Sequence, residues 1–147
     1  GLIVDSARTV GAGKISKDAQ ALIDVTRNAL SAGIDAAQAG GWVRDIGAAI
    51  EKVVPKRFGI IETFCGHGVG YALHEEPIIP NFVMPGKSHQ LKPGMVLAIE
   101  PMITLGGIDV EILEDGYTAI TKDGSLAAHM EHTVLITEDG PEILTLV

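Results

Sequence analysis

Between Ser16 and Pro55 the apolar positions recur at three- and four-residue spacing. Ala19, Leu22, Ile23, Thr26 and Leu30 fall on one face, which predicts an amphipathic helix. Ser16 is its cap, Asp18 sits in its first turn, and it runs to about residue 37. After the Gly40-Gly41 break, Val43, Ile46, Ile50, Val53 and Val54 repeat the spacing until Pro55 interrupts it, which predicts a second helix. Beyond residue 60 the pattern changes to short β-rich runs at 60–64, 95–99, 108–113, 117–121 and 133–137. Asp115-Gly116, Asp123-Gly124 and Glu138-Asp139-Gly140-Pro141 are strong turn signals, because Gly takes positive φ without steric cost. Helices grouped first and strands afterwards predict an α+β layer, with two helices covering one face of a curved, mainly antiparallel sheet.

Composition narrows this picture. At 147 residues the chain fits a single domain spanning 1–147. A formal net charge of -8 argues against a nucleic-acid partner, which would need clustered Lys and Arg. The one cysteine, Cys65, cannot form an internal bridge, and no charged start leads into an apolar signal stretch, so the expected location is cytoplasmic. No apolar run approaches the roughly 20 residues needed to cross a bilayer, so no membrane association is expected.

The densest chemistry lies at Cys65-Gly66-His67-Gly68-Val69-Gly70-Tyr71-Ala72-Leu73-His74-Glu75-Glu76-Pro77. Its glycines predict a loop that presents two imidazoles where backbone can approach a ligand. It is no zincin helix, since Ile78 stands where a second histidine would be required. Glu100 follows the apolar run 95–99 and precedes Pro101, and Glu131 stands at the mouth of the run 133–137. An unpaired buried carboxylate costs several kcal/mol, so each needs a salt bridge, a raised pKa or a metal. A salt bridge is the simpler account of either alone, but the repetition favours metal. His67, Glu100 and Glu131, joined by an aspartate, form a mixed imidazole and carboxylate shell suited to Mn, Fe, Co or Zn.

Six segments in order, Cys65-Gly-His67-Gly-Val-Gly, His74-Glu-Glu-Pro77, Lys92-Pro-Gly-Met95, Ile99-Glu-Pro-Met102, Asp115-Gly-Tyr-Thr118 and Glu131-His-Thr133, resemble the type I methionine aminopeptidases. The resemblance covers nearly the whole chain and implies a pita-bread (creatinase/aminopeptidase) fold, here partial. It also implies two divalent metal ions, and hydrolytic removal of the N-terminal Met of nascent polypeptides. By position, His67 and Glu100 hold one ion, Glu131 bridges two, Glu100 also accepts the nucleophile's proton, and His74 contacts the substrate amide. Cys65, Leu73 and Tyr117 match pocket-wall positions, although the family often carries an aromatic at Leu73 and Trp at Tyr117.

The resemblance also implies two metal-ligating aspartates flanking a hairpin, the first of which has no counterpart here. In one alignment Asp5 is the second, bridging aspartate; in the other it is a turn residue and both are absent. The expectation is that an amino-terminal half is missing and that activity of the chain alone is weak or absent. Two rival readings remain, an Xaa-Pro aminopeptidase or prolidase, and a non-catalytic pita-bread binding module. His74-Glu-Glu-Pro77 weighs against the first, and the persistence of His67, Glu100 and Glu131 against the second.

Overall fold

The computed structural model describes residues 1–146. In chain order the elements are β1 (Ala7–Arg8), α1 (Lys17–Ala36), α2 (Val43–Val53), β2 (Gly59–Ile60), β3 (Gly66–Gly68), β4 (Glu75–Ile79), β5 (Val96–Ile99), β6 (Met102–Thr104), β7 (Val110–Ile112), β8 (Ala119–Thr121), β9 (Ala127–Thr137) and β10 (Gly140–Ile143).

The helices form as their periodicity predicts. Ser16 has extended backbone and its hydroxyl accepts from the Ala19 N–H at 3.1 Å, satisfying a donor the helix cannot. Leu22, Ile23, Thr26 and Leu30 are buried on one face of α1. At the start of α2 the Asp45 carboxylate accepts from the Trp42 N–H at 2.8 Å. The helix stops at Val53 because Pro55 holds Val54 in extended backbone. Val53, expected on the packed face, is 40% exposed. As the last residue of the helix, it lies outside the stripe of Val43, Ile46, Gly47 and Ile50 that does pack.

All strand pairings are antiparallel. Eight strands form one sheet in the order β2-β6-β9-β5-β3-β4, with β1 and β10 also pairing with β9, while β7 and β8 form a separate hairpin. This is the expected α+β layering, though the strand boundaries differ. The run 60–64 leaves the ladder after Ile60, and the strand expected to begin at Thr133 begins at Ala127. The Gly-rich segment expected to be a loop holds the fully buried strand β3. A Cβ on Gly66 would overlap the Ala98 carbonyl oxygen, and one on Gly68 the Glu76 carbonyl. These glycines therefore let backbone press against backbone, and only 69–74 is irregular.

One face of the sheet carries the helices. Leu97, Ile99, Met130, Val134 and Ile136 form a single core with Ala29, Leu30 and Ile34 of α1 and Val43, Ile46 and Ile50 of α2. Burying each large aliphatic side chain there contributes about 1.5–3 kcal/mol. Alternation along the strands sends their neighbours to the opposite face.

Candidate metal centre

That opposite face gathers the candidate ligands, and the register explains why. His67 of β3 faces Ala98 of β5, so Glu100, two residues on, projects from the same side. Ile99 faces His132 and Met102 faces His129, so the ladder keeps step across Glu100-Pro101 and brings Glu100 opposite Glu131. Pro101 has no N–H to give, and its carbonyl accepts from Met130 at 3.4 Å. On the other edge of β9, Ala7 faces Glu131, which puts Asp5 opposite Thr133 on that same side. Asp5, His67, Glu100, His129 and Glu131 thus share one face.

Two threonines fasten the amino-terminal segment to β9. The Thr133 hydroxyl accepts from the Asp5 N–H at 2.8 Å and donates to the Asp5 carbonyl at 2.7 Å. The Thr9 hydroxyl accepts from the His129 N–H and donates to the His129 carbonyl, both at 2.9 Å. Asp5, left open between two alignments, is accordingly held in the cluster, where one ligand atom each from Asp5, His67 and Glu131 lie within 4.8 Å of one another. Glu100, His129 and Glu131 form a second such group.

The electrostatics fit a cation. His67 Nδ1 lies 2.9 Å from the Gly68 carbonyl, which can only accept, so Nδ1 carries the proton. Nε2 then turns towards Glu100 Oε1 at 3.4 Å. In the neutral ring this sets a lone pair against a carboxylate oxygen, an arrangement relieved by a positive ion between them. Glu131 is 4% exposed and its Oε1 is buried without a hydrogen-bond partner. Burial, reinforced by the charges of Glu100 and Asp5 and opposed by His129, pushes its carboxyl from an ordinary 4.5 to about 7. Imidazole nitrogens and carboxylates together suit Mn, Fe, Co or Zn.

His67 and Glu100 also line a cleft of about 720 Å³ with Phe64, Cys65, His74 and Met102. The His74 ring stands edge-on to His67, centroids 4.4 Å apart, on the irregular segment before β4. Burial, then the Glu100 charge, push the Cys65 thiol up, so it meets the cleft as a neutral, weakly polar wall. The other two expected wall residues stand apart from this cleft: Leu73 is 43% exposed, and Tyr117, in the β7–β8 hairpin, 93%. His132 points away and hydrogen-bonds Thr145 Oγ1 at 2.8 Å. A strand beginning at Thr133 leaves out His129; the strand begins at Ala127, so His129 and Glu131, two residues apart, project from the same face.

Residues 1–138 match metallopeptidase family M24. The chain is 46% identical over 144 residues to a methionine aminopeptidase of Clostridium perfringens, covering 97% of this chain and 58% of that protein. It superposes on the crystal structure of methionine aminopeptidase from Thermotoga maritima with a TM-score of 0.94 at 44% identity, covering 99% of this chain and 59% of that one. With the prolidase from Pyrococcus furiosus the TM-score is 0.74 at 24% identity, a likeness of fold alone. The chain therefore spans under three-fifths of the methionine aminopeptidases it matches.

Proposed function

Because the chain belongs to metallopeptidase family M24 and has its pita-bread fold, we propose that it serves the metal-dependent hydrolytic removal of N-terminal methionine from nascent polypeptides. The observation that carries this reading is the meeting of the donor cluster and the cleft at two shared residues, His67 and Glu100. Asp5, His67, Glu100 and Glu131 would hold two divalent ions, Co, Mn, Fe or Zn. Such ions supply Lewis acidity and lower the pKa of a bound water.

The protein's own groups do the rest. Glu100, between cluster and cleft, takes the proton from the attacking water. His74 donates to the scissile carbonyl oxygen as negative charge builds there. Phe64, Cys65 and Met102 offer apolar and sulfur surface to a thioether side chain. The cluster's carboxylates attract the substrate's cationic amino end. Among the described residues no helix is long and apolar enough to cross a membrane. Acting on nascent chains, the protein would work in the cytoplasm.

The test is calorimetric titration of the metal-free chain with Co(II) or Mn(II), then assay of methionine release from Met-Ala-Ser, with Ala-Pro as competing substrate. Expected are metal binding that His67→Ala weakens and, from this chain alone, weak or absent release of methionine, with no preference for Ala-Pro. Metal binding that His67→Ala leaves unchanged, or cleavage of Ala-Pro in preference to Met-Ala-Ser, would overturn the reading.

A further inference from the structure

His129 has no part in the hydrolysis just described, yet its side chain enters the cluster. Its Nε2 lies 3.2 Å from Glu100 Oε2 and 4.0 Å from Glu131 Oε2. An imidazole N–H hydrogen-bonded to a carboxylate would stand at about 2.7–2.9 Å and in line. Here the nitrogen is longer and out of line, so it is a buried atom with no hydrogen-bond partner despite the carboxylate beside it. Glu131 Oε1 is equally without one, on a side chain 4% exposed.

The distances have another meaning. Two ligands each about 2.1 Å from one ion stand roughly 3.0 Å apart at a right angle and about 3.4 Å at the tetrahedral angle. The approach of His129 to Glu100 falls in that range, as does that of His67 to the other oxygen of Glu100 at 3.4 Å. One carboxylate therefore faces a different imidazole with each oxygen, and Glu131 belongs to both three-residue groups. The backbone of His129 is fixed on both sides by the Thr9 hydroxyl, so the ring is presented from a held position.

We propose that His129 is a nitrogen ligand of a divalent cation held with Glu100 and Glu131, making a second metal position in which an imidazole supplements the carboxylates. This rests on the metallohydrolase reading for the first position, His67 and Glu100 with Asp5 and Glu131, but its readouts need no peptide substrate.

Pulsed EPR with Cu(II) as the paramagnetic probe counts coordinated imidazoles, and Co(II) calorimetry counts ions. The parent chain is expected to show two coordinated imidazoles and two ions. His129→Ala should show one imidazole and bind the second ion more weakly, the remaining imidazole disappearing when His67→Ala is added. His129→Gln should behave like His129→Ala, because an amide can hydrogen-bond Glu100 but offers no imidazole. The His129 side chain is 36% exposed at the edge of the cluster, and circular dichroism verifies that each variant is folded. An unchanged imidazole count in His129→Ala would overturn the proposal and leave an ordinary ion pair. Parent behaviour in His129→Gln would overturn it too, assigning His129 to positioning Glu100. Two-imidazole binding with preferential cleavage of Ala-Pro would instead sink the proposed function alone.

Discussion

The carboxylates of the β9 face and those of the β7–β8 region are treated oppositely by the fold. Asp115 and Asp123 are fully exposed, yet their oxygens are well supplied with donors. Asp115 accepts from the Tyr117 and Thr118 N–H groups at 2.9 and 2.8 Å and from the Thr118 hydroxyl at 2.5 Å. Asp123 accepts from Gly107 N at 2.7 Å and Ser125 N at 3.0 Å, and these bonds draw its carboxyl from 3.8 to about 2. Glu131 is buried among like charges with one oxygen unpartnered. A charge that shapes a turn brings its own partners from neighbouring backbone. A charge without local partners, buried at a cost of several kcal/mol, is the one an external cation would relieve.

The sharpest way to break this contrast is Glu131→Gln. Removal of the shared carboxylate should weaken Co(II) binding by roughly 100-fold or more, measured by calorimetry, since outer-shell changes alone cost 10- to 100-fold. The metal-free variant should unfold no more easily than the parent, because a buried charge has gone. Parent-like metal affinity would show that the buried carboxylate has a purely structural role.

Stability against pH separates the two sets by sign. The folded-state pKa of Glu131 is raised, so between 4.5 and about 7 the folded chain binds more protons than the unfolded one. Metal-free stability should therefore increase as pH falls from 7.5 to 4.5, by on the order of 3 kcal/mol for a shift of this size, read by urea unfolding. The pKa values of Asp115 and Asp123 are lowered, so their contribution is full above about 4 and lost as pH falls towards 2. Bound Co(II) should flatten or reverse the Glu131 arm and leave the acid arm in place. A metal-free stability that rose steadily from pH 4.5 to 7.5 would contradict the assignment.

The smallest effect belongs to the hairpin. Asp115→Ala removes the turn's acceptors and should lower Tm by no more than about 3 °C. Metal affinity should be unchanged. A loss of affinity would mean that the hairpin and the cluster are coupled and the two regions are not independent.

Much of this protein is written in short-range pattern. Helix periodicity, the Ser16 cap, the Pro55 stop and the Asp-Gly turns depend on residues within a few positions of one another, and the chain follows them. Carboxylates placed against apolar runs likewise predict that Glu100 and Glu131 are withdrawn from solvent, and they are, since the cost of burying a charge is visible wherever a strand must be buried. What remained ambiguous was everything that depends on which strand lies beside which. Neighbouring residues leave two alignments open for Asp5, and only the pairing of Ala7 with Glu131 and the Thr133 bridge, spanning 128 positions, bring it to the face that holds His67 and Glu131. The Gly66–Gly68 strand looked like a loop because its fitness for the sheet lies in the close approach of Ala98 and Glu76, not in its own composition. His129 entered the cluster through the early start of β9 and the unbroken register across Pro101. Side-chain alternation is a property of one strand, whereas register between strands is settled by long-range packing; a slip of one residue would have sent His129 and Glu131 to the helices.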